Sequence, residues 1–293
     1  MPRLGKNIDW SGCSGNPTWA IATLSVGTYG IYGSITLKAG MTITGTQLIS
    51  PQGRSTHTIT SAGVSFSQQL FFLAPGATYT LQDDLVTTDL IQIGNGIIVA
   101  NGHNLTSSRL TSTGAGSTRG LTLGTSTVTL TGTGSVWSVN STFLLSATYS
   151  TIRITDTGSS SKTFAGGGLS YKDLVITGSG SGAVIVTGNN TISHVVVTGA
   201  KTITLPAGGT QTFEGVFVPG TAGNVVTIQS SSAGSPANVI QTAGVVSLDY
   251  VSLKDVAASG PAPWFAGTHS TDVSGNSGIS FTAAPSAKWG VRI

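Results

Sequence analysis

Apolar and polar positions alternate along most of this chain in short runs, and the runs end on Gly, Asn or Ser. The clearest stretch reads Leu174-Val175-Ile176-Thr177-Gly178, then Val184-Ile185-Val186-Thr187-Gly188, then Val195-Val196-Val197-Thr198-Gly199. Each unit is an apolar β-branched triplet closed by Thr-Gly, and successive Thr-Gly pairs fall ten and eleven residues apart. A fixed spacing of this kind signals stacked repeats. Similar short strand candidates occur on both sides: Tyr79-Thr80-Leu81, Leu90 to Val99, Leu121-Thr122-Leu123, Val128 to Leu130, Ile152-Arg153-Ile154, Thr202 to Leu205, Val225 to Ile228 and Val245 to Leu253.

Spacing of this order fits a sandwich or a solenoid, and three features favour the solenoid. The strands are very short, and most of the joins lack the Asn-Gly grammar of hairpins, with Asn95-Gly96 and Asn101-Gly102 as exceptions. Triplets such as Val195-Val196-Val197 tolerate apolar neighbours, as strands in a crowded parallel stack do. No 3.6-residue period appears, so the helical crossovers of an ordinary parallel sheet are missing. The predicted fold is all-β, a right-handed parallel β-helix. Coils of roughly 22 to 30 residues give about six to eight turns between residues 77 and 258, a rod of roughly 30 to 40 Å at ~4.8 Å per turn. Because the triplet spacing is shorter than a coil, neighbouring triplets are expected on different faces.

The ends read differently. Residues 1–78 form a less repetitive β segment, with Trp10, Trp19, Tyr29 and Tyr32 among glycines; it is assigned to capping the first coil and to docking onto a partner. Residues 79–258 are the β-helix. Residues 259–293 begin with Gly260-Pro261-Ala262-Pro263, where strand grammar stops, and carry Trp264, Phe265, Phe281 and Trp289. This segment is read as a C-terminal aromatic cap over an otherwise open strand edge. Trp10, Trp19, Trp264, Phe265 and Trp289 are the candidate contacts for a partner or a glycan.

Composition narrows the function. Charged residues make up 8% of the 293, about a third of the usual share. The formal charge is +3, but the 13 basic residues are scattered, which excludes a nucleic-acid surface. The one cysteine, Cys13, excludes an intrachain disulfide and a Cys-based zinc site. No run approaches a membrane span, and Met1 to Lys6 has no secretory apolar region; release by lysis or assembly into a particle is expected. Ten acids are present, with one Glu, Glu214. Asp83 and Asp84 with Asp89 form the densest group, and the assumed coil length sets Arg109 above them as an ion-pair partner. Asp249 and Asp255 lie about 20 Å apart along one extended stretch, too far for a glycosidase pair. His57, His103, His194 and His269 have no metal-ligand spacing. Asn189-Asn190 reads as a turn or a stacked polar ladder. No catalytic, cofactor or metal residues are assigned.

The run from Leu130-Thr131-Gly132 through Lys162 to Gly168, the LVITG and VVVTG units, Gly220 to Ser230, and Tyr250-Val251-Ser252-Leu253-Lys254-Asp255 resembles β-helical repeat proteins of tailed bacteriophages and prophages. Their architecture is the pectin-lyase-like right-handed β-helix, as in tail fibres and tailspikes. The resemblance covers roughly residues 120 to 282 and implies a non-enzymatic structural protein of a virion, a tail or baseplate appendage, with no cofactor. It implies docking to other virion proteins through residues 1–78, a homotrimer by analogy, and a host surface glycan as a further candidate ligand. A capsid decoration or head-fibre protein, a polysaccharide depolymerase and a glycan-binding adhesin on the same scaffold are the alternatives.

Overall fold

The computed structural model describes residues 3–21, 29–112, 114, 117–155, 157–215, 217–218 and 220–285. The described chain is all-β, with parallel strands stacked as a β-solenoid of about 11 turns. Among the described residues, no helix is long and apolar enough to cross a membrane.

Wall A of the solenoid is a continuous parallel ladder that starts with Arg3–Gly5, Tyr29–Ile31 and Ile49–Pro51 and ends with Val251–Lys254 and Thr271–Ser274. Wall B runs beside it from Ile8–Asp9 to Leu144–Ser146. Leu70–Leu81 and Leu90–Val99 each belong to wall A by their first half and to wall B by their second. Wall C runs from Ser65–Phe66 to Val256–Ser259. A short wall D, Val246–Ser247, Trp264–Phe265 and Ile279–Ser280, is added at the C-terminal end.

Each wall alternates inward apolar and outward polar residues, so that like side chains stack through the interior. On wall A, Leu70, Ile91, Leu110, Trp137, Phe164 and Val186 pair in succession. On wall C the column is Leu85, Leu105, Val128, Ile152, Leu174 and Val195. Every member of both columns is buried, and burying each contributes on the order of 1.5–3 kcal/mol. The interior is thereby filled as a column shared between coils rather than as one globular core.

The Thr-Gly units occupy the places their spacing requires. Leu174-Val175-Ile176 pairs directly with Val195-Val196-Val197 on wall C, while Val184–Thr187 lies between Lys162–Ala165 and Lys201–Leu205 on wall A. Asn95-Gly96 and Asn101-Gly102 make no hairpins: Gly96, Asn101 and Gly102 take positive φ at bends within parallel coils.

Coiling extends beyond the regular region. Parallel pairing already joins Arg3–Gly5 to Tyr29–Ile31 and Thr18–Ile21 to Thr42–Gly45, so a boundary at residue 78 falls inside the strand Leu70–Leu81. The period is masked there because Trp19, Leu37, Met41 and Phe66 fill the interior in place of β-branched triplets. Trp264–Phe265 and Ile279–Ser280 likewise continue the pairing into the C-terminal segment.

The cross-section changes in the middle of the rod. Through Leu144–Ser146 a coil carries walls A, B and C; in the next coil the turn Gly166-Gly167-Gly168, with φ of 67° and 75° at the last two, stands where a wall B strand would follow. The aromatic cluster Trp137, Phe164 and Tyr171 packs at this step.

Candidate functional site

A set of ionisable side chains sits on the corner of wall C just past the step. Ser170–Thr177 and Thr191–Val197 both break strict alternation at the same level, so that Lys172 and Asp173, and above them Ser193 and His194, all face outward. Stacked irregularities keep the two strands in register, with Asp173 opposite His194. His194 Nδ1 lies 2.8 Å from Asp173 Oδ1, and Thr151 Oγ1 donates to Asp173 Oδ2 at 3.4 Å from the coil before. Ser193 Oγ donates to Glu214 Oε2 at 3.2 Å. The shallow groove beside them is also lined by Tyr171, Thr148 and Leu145.

Asp173 and Glu214 are two coils apart, about 10 Å at the strand spacing. That is wider than a retaining glycosidase pair and at the outer limit of an inverting pair. Both carboxylates are engaged by a neighbouring coil.

The same arrangement recurs elsewhere. Asp249 accepts from the His269 backbone N–H at 2.9 Å and lies 2.8 Å from His269 Nδ1, while the imidazole stacks on Tyr250 with centroids 4.7 Å apart. The His269 hydrogen bond holds the Asp249 carboxyl below the usual carboxylate range. Asp84 accepts from the Asn104 N–H at 2.7 Å, with His103 Nδ1 at 4.0 Å. Asp83 accepts from the Ser61 and Ala62 N–H groups at 2.7 and 2.6 Å, capping a turn in which Ala62 has φ 52°. Asp255 accepts from the Gly234 N–H at 3.1 Å. An ion pair between Asp83 or Asp84 and Arg109 does not form, because Arg109 is in register with Leu90. The coil offset in this region is close to 20 residues, shorter than the sequence suggests, so the acids stack on residues 61–62 and 103–104.

Of the ten acids, Asp156 lies outside the described residues; each of the other nine accepts a hydrogen bond from a protein donor. Ser55 Oγ lies 3.2 Å from His57 Nε2, a nucleophile-base spacing. No carboxylate is hydrogen-bonded to His57 among the described residues, and the nearby Gly53 N–H is occupied by Tyr79 Oη at 2.9 Å. Burial, helped by the Lys6 charge, lowers the His57 pKa. No group of three or more His, Cys, Asp and Glu side chains that could hold a metal occurs among the described residues.

The aromatic candidates belong to the packing. Trp19 and Trp264 are 7% and 6% exposed, so neither offers a free ring face. Trp10 is half-buried against Trp19, with centroids 6.4 Å apart, and Trp264 meets the edge of Phe213 at 6.2 Å. Phe265 is half-buried on wall D. Trp289 lies outside the described residues. Asn190 is buried: its amide donates to the carbonyls of Thr187 and Gly188 and to Gln211 Oε1, and Gln211 in turn donates to the Gly188 carbonyl. This is a stacked polar ladder, one of the two arrangements predicted for Asn189-Asn190.

The pairs Asp173/His194, Ser193/Glu214 and Asp249/His269 were not legible as pairs without the coil offset. Doubling the ten- and eleven-residue triplet spacing supplies it, since each pair is 20 or 21 residues apart. Comparison of the chain with protein-family models, curated proteins and solved structures yields no significant match.

Proposed function

We propose that this chain is a non-enzymatic structural rod, a subunit of a surface appendage on a tailed-phage virion, at the tail or baseplate. The observation that carries the reading is the use of its carboxylates. In a chain with so few acids, Asp83, Asp84, Asp173, Glu214, Asp249 and Asp255 each accept a hydrogen bond from an adjacent coil. They act as ties along the rod, and Glu214, which lines a shallow groove, lies about 10 Å from Asp173, at the outer limit of an inverting pair. Outer walls rich in Thr and Ser suit a surface exposed to solvent and proteases. The phage assignment rests on the resemblance of residues 120 to 282; docking to other virion proteins through residues 1–78, a homotrimer and contact with a host surface glycan extend it.

Incubation of the purified chain with host capsule or lipopolysaccharide is expected to release no new reducing ends and no unsaturated sugars. Oligosaccharide release that is lost in Asp173→Asn or Glu214→Gln assigns a depolymerase instead. Immunogold microscopy is expected to label phage tails, whereas label on heads or on none of the particle overturns the placement. A mass in solution that stays monomeric at all concentrations overturns the trimer.

A further inference from the structure

Wall B stops in the middle of the rod. Its last strand, Leu144–Ser146, pairs with Gly120–Thr122 on one side; among the described residues it has no ladder partner on the other, where the Gly166–Gly168 turn stands. In a parallel ladder, alternate residues direct their N–H and C=O to opposite neighbours. The Ser146 carbonyl accepts from the Leu123 N–H, so Ser146 faces Gly120–Thr122 and Leu145 faces the gap. The gap also opens the interior. Leu145 and Leu169 pack against the core yet are only partly buried, and Leu144 is 55% exposed.

Solenoids protect such edges with charge, proline or a covering segment. Phe143 to Ser150 contains no charge and no proline. The edge borders a groove of about 590 Å³ lined by Ile97, Thr122, Phe143, Leu144 and Leu169 among others. Leu145 and Ser170 line both this groove and the next one along the corner, which continues past Lys172 to Ser193 and Glu214.

We propose that the Leu144–Ser146 edge is a strand-acceptor site that takes an extended segment of another protein. Backbone donors and acceptors at strand spacing are matched only by another main chain, which makes strand addition the recognition mode. The segment pairs its main chain with the free side of Leu145 and places an apolar side chain over Leu145 and Leu169. The site is independent of the virion assignment: it completes wall B by one strand whatever particle carries the rod.

The test uses the full chain and a fluorescein-labelled synthetic peptide copying residues 118–124, the strand that pairs with Leu144–Ser146 on its other side. Fluorescence anisotropy is expected to give saturable binding with Kd below about 1 mM. Leu144→Lys, at a half-exposed position and checked by an unchanged urea midpoint, is expected to weaken it at least roughly tenfold through lost apolar burial. N-methylation of one alternating set of peptide amides abolishes binding and of the other set does not, and hydrogen exchange at the Leu145 amide slows on binding. No binding at about 1 mM, equal binding to Leu144→Lys, or indifference to N-methylation overturns the proposal. Self-association of the rod that Leu144→Lys abolishes, with no peptide binding, assigns the edge to a second copy and overturns it as well.

Discussion

Replacing Tyr171 with Phe isolates one buried polar contact in the aromatic cluster at the step. Tyr171 Oη accepts from Trp137 Nε1 at 3.0 Å and donates to the Gly166 carbonyl at 2.7 Å. Phe keeps the ring and its edge contacts with Trp137 and Phe164, at centroid distances of 6.0 and 4.9 Å. The substitution therefore removes two hydrogen bonds and little else. Each orphaned buried group costs about 1–3 kcal/mol, so a loss of roughly 2–6 kcal/mol is expected in urea unfolding at pH 7. A second readout comes from alkali. Burial raises the Tyr171 phenol well above 10, so the folded state keeps a proton that the unfolded chain releases near pH 10. Stability is full below about pH 10 and falls as pH rises from there towards the folded pKa, by up to ~1.4 kcal/mol per pH unit for this group. Tyr79, also raised by burial, contributes to the same decline. Tyr171→Phe is expected to start less stable and to lose less above pH 10. A loss below about 0.5 kcal/mol at pH 7 with an unchanged alkaline slope refutes the reasoning.

Asn190→Leu strands the Gln211 amide oxygen in the interior and removes the acceptor of the Gly168 N–H, and a loss of about 2 kcal/mol in urea midpoint analysis is expected. His194→Ala breaks an Asp-His pair whose two side chains are about a third exposed, so a loss below about 1 kcal/mol is expected by the same method. In an NMR pH titration, the Asp249 carboxyl is expected to protonate below the ordinary aspartate range and to return towards it in His269→Ala; the contribution of this pair is present above the unfolded aspartate pKa and is lost as pH falls through the folded one. Gly45 has φ 102° and a Cβ there collides with the Ile21 carbonyl, so Gly45→Ala is expected to cost more than about 2 kcal/mol and to expose Trp19 fluorescence to quencher.

Legibility followed the side chains that repeat. Leu174 to Gly199 announces its own architecture because β-branched triplets and Thr-Gly turns recur at a spacing set by the coil. The N-terminal coils share the geometry, but Trp19, Met41 and Phe66 satisfy the same interior with different shapes, which hides the period. Asp83 and Asp84 were visible as a cluster, yet their partners depend on a coil offset known only once the registers are. The aromatic residues stood out by composition alone, and composition does not distinguish a ring buried beneath a coil, as Trp264 is, from one displayed on a surface. The end of wall B at Leu144–Ser146 was invisible for the opposite reason: its residues look like any other strand, and what distinguishes them is the turn that the next coil makes at Gly166–Gly168.

Stacking of the Thr-Gly units is tested most directly by paired cysteines in a Cys13→Ser background. Val175 and Val196 are partners in the wall C ladder, half-buried and side by side, and neighbouring strands lie about 4.8 Å apart, within the Cα range of a disulfide. Mild oxidation of Val175→Cys/Val196→Cys is expected to give an intrachain crosslink, seen as a mobility shift that reductant reverses, whereas Val175→Cys/Ile185→Cys, with Ile185 on wall A, stays open. Crosslinking of the second pair and not the first contradicts the parallel solenoid.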